Sequence, residues 1–530
     1  MKVGVTSAAV GPTALTLQYH ATKFDIWALG ITMVLGGQLF SWNTGLLAGI
    51  LSNAVAILVL GVGYVCLVLS MAEMTSTLAF SGGAYGLTRC SIGFYAGWVI
   101  GCCEALEYMA YTASAVLTLS DMLYIAFPTL HPDMAPLLWL STYGVCNVLL
   151  ASSDRVFWLV NRFLALLSLG LVLVYLGGAY SLSEFSRRVS SDDNRLIVGG
   201  GLEFLRRLPS AAWFFVGIEA LSTVCNVVPA PKEVIPIGQV ACVLTLFALA
   251  VLVFVAAIGV APDVISMTTD VAVLSRGYER MLHVSAADAM MLSIPATFAT
   301  IFGFVLAYSN ILAAMASSCL LPSVLTRQFG PSHTHPIATL LGSLLGFGMC
   351  FLVRAFETLR DELFNIGMVF AFTAYAAQCV GYMYLKQRFA HLPRTFRSPL
   401  GVHGALLSLS IWLVNIVSVL GFQDNVAYKL QVLAGVLLLQ SIYYHLYAKH
   451  KQQMSDDERK VLFFAHVANA NDAKRKMHRK SRSRVSSTIE RAAGVLRRII
   501  ERPHARSKVS VIGPAARHSI SAIPCKKGRQ

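Results

Sequence analysis

The stretch FDIWALGITMVLGGQLFSWNTGL, residues 24–46, is apolar enough to cross a membrane, but glycines and polar side chains interrupt its second half. Gly36 and Gly37 stand directly before Gln38, and Asn43 follows five residues later. Glycine disfavours a regular helix, and backbone that leaves helical geometry inside a membrane is tolerated only where it lines a cavity. The pattern therefore predicts a membrane helix that breaks beside an internal cavity.

A second segment, WFFVGIEALSTVCNVVPAPKEVIP at residues 213–236, carries the same kind of interruption. Gly217 precedes the acidic Glu219, and three prolines follow. A charged side chain at the centre of a bilayer costs about 2.5–3.5 kcal/mol on insertion scales, so it usually faces the protein interior. Interrupted segments in corresponding positions of two halves point to the binding site of a transporter. The alternative is that the glycines only let neighbouring helices pack closely.

The composition of the whole chain identifies a helical membrane protein. Of 530 residues, 56% are hydrophobic and only 13% are charged, whereas soluble proteins carry about 25% charged residues. This composition excludes a secreted, cytosolic or disordered chain, and continuous apolar runs favour helices over a β-barrel. Runs of about 20 apolar residues, the length that spans a bilayer, predict about twelve transmembrane helices at residues 24–46, 53–72, 94–127, 136–152, 157–180, 208–229, 236–261, 289–316, 336–354, 362–385, 404–422 and 428–447.

The net charge of +15 lies in the C-terminal part of the chain. Residues 448–530 hold 21 Lys and Arg against 6 Asp and Glu, whereas residues 1–447 hold 21 of each kind. A charge confined to one appendage is not the footprint of a nucleic-acid-binding fold, so we expect no nucleic-acid partner. We predict three parts, namely a cytoplasmic N-terminal segment (1–23), a transmembrane domain (24–447) and a basic cytoplasmic tail (448–530). Because Lys and Arg accumulate on the cytoplasmic side, we expect both termini there, with the plasma membrane as the location.

Carboxylates inside the predicted helices are candidates for function. Glu104 and Glu107 share one face of the third helix, with Tyr108 beside them, and Glu219 lies in the sixth helix. Acidic residues at membrane depth often mark substrate or ion pathways. The alternative is that such side chains are protonated and hydrogen-bonded to neighbouring helices.

Several segments of the transmembrane domain resemble the amino acid–polyamine–organocation (APC) permeases, and among these the ethanolamine-permease type. In the first-helix signature of that subgroup an acidic residue stands at the position of Gln38. The family also usually has Arg-Asp-Gly after its eighth helix, where this chain has Ser317, Ser318 and Cys319. The matching segments are GGQLFSWN (36–43), FSGGAYGLTRCSIGFYAGWVIG (80–101), CCEALEYMAYTA (102–113), WFFVGIEALSTVCNVVPAPKEVIPIG (213–238) and FRSPLGVHGA (396–405).

This resemblance implies an all-α fold with a LeuT-type five-plus-five inverted repeat, two extra helices, and a central site between helices one, three, six and eight. Free backbone N–H groups near Gly37 would suit a substrate carboxylate or hydroxyl, and a glutamate near Gly217 would suit an ammonium. Trp213 either covers the site and provides a cation–π contact or is an ordinary core or lipid-facing aromatic residue. The candidate substrate-binding residues are Gly36, Gly37, Gln38, Asn43, Glu107, Tyr108, Trp213, Gly217 and Glu219.

The coupling ion is predicted from fewer residues. In this fold a sodium site needs hydroxyl groups on helix eight that face helix one, and Ser309 is a candidate, although such residues also serve helix packing. Glu219 and Glu104 are candidates for carrying a proton. These residues favour proton coupling or exchange, and they require no resident metal or other cofactor.

The resemblance thus predicts a secondary transporter that moves an amino acid or a small amine such as ethanolamine by alternating access. The alternative is a transporter-like nutrient sensor that signals through its basic tail. An enzyme is not expected, because no metalloprotease, nucleophile-elbow or phosphate-loop motif accompanies the neighbouring His333 and His335.

The tail itself suggests a further contact. The basic run KRKMHRKSRSR (474–484) precedes a segment, 487–500, whose apolar residues fall on one helix face. Residues 474–500 therefore predict binding to anionic lipids of the bilayer or to an acidic, calmodulin-like protein. The alternative is a disordered, solvated tail.

Overall fold

In the computed structural model of the chain, helices are the regular secondary structure of the residues that it describes. Over these residues it contains no strand. The described residues are 19–79, 82–186, 196–260, 264–328, 334–389, 392–456, 458–459, 490–491 and 493–494.

The prediction of an all-helical membrane protein with about twelve spans is confirmed. Among the described residues, eleven helices are long and apolar enough to cross a membrane, and a bent pair of helices at the start of the domain makes a twelfth span. We number them in chain order as spans 1 to 12: Lys23–Gln38 with Trp42–Ala48, Ile50–Thr77, Phe94–Ala126, Pro132–Ala151, Asp154–Leu182, Gly200–Val227, Pro231–Val260, Ala286–Ser317, Pro336–Ala355, Glu362–Arg388, Gly401–Gly421 and Val426–Lys451. Shorter helices between them are Gly83–Ser91, Val264–Met267, Ser275–Leu282 and Ser323–Thr326.

Both predicted helix breaks are present. Span 1 is an α-helix to Val34, tightens to a 3-10 turn, and bends by 46° before it resumes at Trp42. Its break contains Ser41 in the left-handed backbone region, with φ of 67°. Span 6 changes direction at Gly217, whose φ is 106°, between two 3-10 stretches. Each interrupted helix leaves backbone groups that must find partners elsewhere in the protein.

The packing of the spans agrees with a five-plus-five repeat. Span 2 packs on span 7, and span 3 packs on span 8. Span 3 also packs on span 10, and span 8 packs on span 5. When each span is replaced by the one five places away, the contact between spans 3 and 10 becomes that between spans 8 and 5, and the other two contacts are unchanged. Because each half has an odd number of spans, the second half runs through the membrane in the opposite direction to the first. The interrupted spans 1 and 6 open the two halves. We call the side on which span 12 ends the tail side, and the other the far side.

A buried carboxylate fixes the tail side of the bundle. Glu73 in span 2 is fully buried and accepts hydrogen bonds from Lys386 (2.6 Å), from the hydroxyl of Tyr382 (2.7 Å) and from the backbone of Ser398 (3.0 Å). Arg394 lies 2.9 Å from the same carboxylate. One side chain therefore joins span 2, span 10 and the segment that leads into span 11.

The end of the chain forms a separate unit, residues 469–530. Within it the structure describes Glu490, Arg491, Ala493 and Gly494, which are helical. The basic run 474–484, like residues 1–18 and His333, lies outside the described residues. The expected membrane or calmodulin-like partner of the tail therefore stays a prediction, as does the division into parts at residues 23 and 447.

Candidate functional site

Glu219 lies at the break of span 6, and it is 1% exposed. Both of its carboxylate oxygens accept the backbone N–H of Gly217 at 3.1 Å, which the left-handed turn directs at them. The hydroxyl of Tyr108 in span 3 lies 3.3 Å from Oε1. The local sequence thus folds the carboxylate back over its own helix break, in the middle of the bundle.

Glu107 faces Glu219 from span 3 and is fully buried. Tyr375 donates a hydrogen bond of 2.6 Å to its Oε1, whereas Oε2 has no donor among the described residues. The two carboxyl groups lie close enough to interact directly. No lysine or arginine in the described part of the chain is paired with either of them. We call Glu107 and Glu219 the carboxyl pair.

Aromatic side chains enclose the carboxyl pair. Tyr64, Tyr108, Tyr111 and Tyr375 are each at most 1% exposed. The ring of Tyr64 contacts that of Tyr375, with centroids 5.7 Å apart. Rings attract cations through their faces, and hydroxyl groups orient polar ligands, so this enclosure suits a small organic cation.

A wide vestibule leads from the far side towards this enclosure. It is open to solvent on the far side, and Trp213 and Phe364 form part of its lining. These two rings stack with centroids 3.7 Å apart, and Tyr111 contacts both of them. Ring contacts continue from Tyr111 to Phe304, and from Phe304 to Tyr108 beside Glu219. Trp213 is therefore a buried aromatic residue at the base of the vestibule.

Gln38 connects the two interrupted spans. Its side-chain amide donates to the carbonyls of Phe214 in span 6 and Leu246 in span 7, both at 3.1 Å. The N–H of Gly36 donates to the hydroxyl of Thr300 in span 8 at 3.1 Å. Gly37 lies so close to the carbonyl of Trp213 that no methyl group would fit there. These residues serve to hold the breaks together.

Three predicted site residues lie apart from the carboxyl pair. Glu104 accepts the backbone N–H groups of Ala84 (2.9 Å) and Tyr85 (3.2 Å), and thereby caps the short helix Gly83–Ser91. Asn43 donates to backbone carbonyls in the segment between spans 7 and 8. A sodium site would require Ser309 to face span 1. Its hydroxyl instead forms a hydrogen bond of 2.7 Å with the hydroxyl of Thr339 in span 9. The coupling roles of Glu104 and Ser309 stay predictions.

Several residues of the site were not predicted. Thr300 is the hydroxyl on span 8 that does face span 1, since it also donates to the carbonyl of Thr32. Tyr64, Tyr375 and Phe364 come from spans 2 and 10, which the resemblance did not assign to the site. Within the described ranges, no group of three or more His, Cys, Asp or Glu side chains is positioned to hold a metal ion.

We expect Gly217→Ala to impair folding. Its φ of 106° is strained for any side chain, and an added methyl group would lie 2.7 Å from the ring of Phe304. A left-handed non-glycine residue alone costs about 1–2 kcal/mol. The measurement is the melting temperature of the purified protein, which should fall.

Gly177→Ala in span 5 is the matched control. Its added methyl group would meet no atom within 4 Å, and alanine favours a helix more than glycine does. Equal melting temperatures for the two variants would contradict the strained turn at Gly217.

Comparison with known proteins agrees with this architecture. The family model described as amino acid permease matches residues 23–437. An uncharacterized transporter of Rhizobium meliloti (strain 1021) is 26% identical over 269 residues, which are 48% of this chain and 56% of that protein. The choline transporter of Saccharomyces cerevisiae is 23% identical over 254 residues, 43% of this chain and 44% of that protein. The chain thus spans about half the length of these curated relatives.

Proposed function

The chain belongs to the amino acid permease family, and we propose that it carries a small cationic amine across the membrane by alternating access. The family makes it a multi-pass membrane transporter of a small-molecule substrate and not an enzyme. The identity of the substrate, the coupling and the location are our proposals. The observation that carries the proposal is the carboxyl pair inside its aromatic enclosure.

The carboxyl pair favours an amine over an amino acid. Two buried carboxylates repel each other, so the pair is stable only with a proton or a cation beside it. An ammonium group supplies that cation, whereas the carboxylate of an amino acid adds a third negative charge. The N–H groups of Gly36 and Gly217 at the two breaks already donate to Thr300 and to Glu219, so neither is free to bind a substrate carboxylate.

The same pair suggests how transport is coupled. A proton held between Glu107 and Glu219 and an arriving ammonium compete for the same oxygens, so binding one releases the other. This competition supports proton-coupled transport or exchange. An ethanolamine-like substrate fits the resemblance of residues 102–113 and 213–238 to ethanolamine permeases. Choline, the substrate in the name of the yeast relative, belongs to the same chemical class. We further propose a plasma-membrane location with the tail side facing the cytoplasm, because the tail is strongly basic.

A thermal-shift panel tests the substrate class. The purified protein is melted in the presence of ethanolamine, choline, putrescine and a set of neutral amino acids. A ligand at 100 times its Kd stabilises the folded state by about 2.7 kcal/mol. We expect at least one amine to raise the melting temperature while the amino acids leave it unchanged. If amino acids alone stabilise the protein, the site takes an amino acid and our proposal is wrong.

A further inference from the structure

The segment that follows span 12 folds back against the tail side of the bundle. Glu458 in this segment pairs with Arg89 of the short helix Gly83–Ser91, and the two nitrogen–oxygen distances are 2.7 and 2.9 Å. Both side chains are 1% exposed. A carboxylate from the segment after span 12 is therefore buried against the short helix between spans 2 and 3.

Further hydrogen bonds hold this segment in place. Ser318, at the end of span 8, donates to Glu458 at 3.1 Å, and its carbonyl accepts the N–H of Gln453 at 3.0 Å. Arg89 also donates to the carbonyl of Gln453 at 3.2 Å. The N–H of Ser455 donates to Glu458 at 2.7 Å. Residues 452–456 with 458–459, which we call the tail latch, thus contact spans 3 and 8 through their flanking segments.

The tail latch borders the space beneath the carboxyl pair. A small cavity is lined by Glu458 together with Ser222 and Gln378. Ser222 lies three residues after Glu219 in span 6 and donates to its carbonyl at 3.0 Å. Gln378 of span 10 donates to Glu104 at 3.3 Å. The cavity therefore lies between the candidate substrate site and the tail latch.

We propose that the tail latch closes the tail-side exit of the transport path and must leave Arg89 before the substrate can pass. This inference does not depend on which solute is carried. A buried ion pair suits such a device, because the electrostatic gain of pairing is nearly offset by the loss of hydration. Both charges regain water when the latch opens, so the closed and open states lie close in free energy. Removing one partner leaves the other charge buried and disfavours the closed state strongly.

Cys90 is a native reporter of the closed latch. It lines the same cavity and is adjacent to Arg89 in sequence. Burial, and then the nearby charge of Glu458, raise the pKa of its thiol to about 11. Because the thiolate is the reactive form, Cys90 should react slowly while the latch is closed. Cys225, 7% exposed near the tail-side end of span 6, donates to the carbonyl of the cavity-lining Ser222 at 3.1 Å, and we use it to report on the path beyond the latch.

The experiment measures alkylation of Cys90 and Cys225 by N-ethylmaleimide in the full-length protein, quantified for each site by mass spectrometry. We expect Glu458→Gln to increase the rate at both cysteines by about tenfold or more, since opening the latch exposes both. Asp456→Asn is the matched control. It removes the same charge two residues before Glu458, but the side chain of Asp456 is 89% exposed. It should leave both rates at the level of the unmodified protein.

Two further variants separate opening of the latch from other effects. The exchange Arg89→Glu with Glu458→Arg restores the ion pair and should restore protection at both cysteines. Ser318→Ala removes one hydrogen bond to Glu458 and should raise the rates only partly, in a protein that elutes normally from size exclusion. An unchanged rate in Glu458→Gln would overturn the proposal. Faster alkylation of Cys90 without Cys225 would also overturn it, because the segment would then only fray locally.

Discussion

Amine uptake should fall by at least about 100-fold in the Glu219→Gln variant, while the protein remains folded and reaches the membrane. Removing one partner of a buried charge pair costs about 3–5 kcal/mol. Each loss of about 1.4 kcal/mol in binding free energy weakens the affinity for the amine about tenfold. Glutamine keeps the size of the side chain and can still pack at the break of span 6. The substitution should therefore weaken binding of the cation and leave the fold intact. The measurement is uptake of labelled amine into liposomes that contain equal amounts of each variant.

Two control variants belong to this experiment. Glu104→Gln makes the same chemical change one helical turn before Glu107, but its carboxylate caps the helix Gly83–Ser91. We expect that variant to melt at a lower temperature and yet to bind amine with little change. Tyr108→Phe removes one 3.3 Å hydrogen bond to Glu219 and should weaken uptake only several-fold. Uptake by Glu219→Gln with the affinity of the unmodified protein would exclude the carboxyl pair as the substrate site.

The Glu73→Gln variant should lose stability by about 3 kcal/mol. Glutamine at this position leaves Lys386 and Arg394 without their shared carboxylate, and the side chain of Arg394 is only 5% exposed. Lys386 is 29% exposed and can turn to water, which is why the expected loss lies at the lower end for a broken buried pair. The measurement is the melting temperature of the detergent-purified protein.

Glu279→Gln is the matched control for this prediction, because Glu279 is exposed in a short helix between spans 7 and 8. It should melt with the unmodified protein. A Glu73→Gln variant that melts at the same temperature as Glu279→Gln would mean that the cluster on the tail side contributes nothing to stability.

The helix breaks could be predicted because their cause is local. Gly36 and Gly37 with Gln38, or Gly217 with Glu219, are adjacent in the chain, and the low helix propensity of glycine acts on neighbouring residues. The span boundaries were predicted for a similar reason, since apolar length alone decides whether a segment crosses the membrane. The helices extend a few residues beyond the apolar runs, for example to Lys451 in span 12, because hydrogen bonding of a helix continues past the edge of the lipid.

The composition of the site could not be predicted in full because it depends on contacts between distant residues. Tyr375 reaches Glu107 across 268 positions of sequence, and nothing local distinguishes it from the other 18 tyrosines among the 19 in the chain. Glu104 and Glu107 have nearly the same surroundings in sequence. The structure separates their roles because successive turns of span 3 face different neighbours, a helix terminus for one and the break of span 6 for the other.

The close approach of Gly37 to the carbonyl of Trp213 has a mechanical consequence. No methyl group fits between them, and Gln38 of span 1 is hydrogen-bonded to Phe214 of span 6 and to Leu246 of span 7. We therefore expect the interrupted spans 1 and 6 to move as one rigid unit. If Glu219 binds the substrate as proposed, we expect a tilt of one span to move the other, so that the far-side and tail-side openings of the path change together.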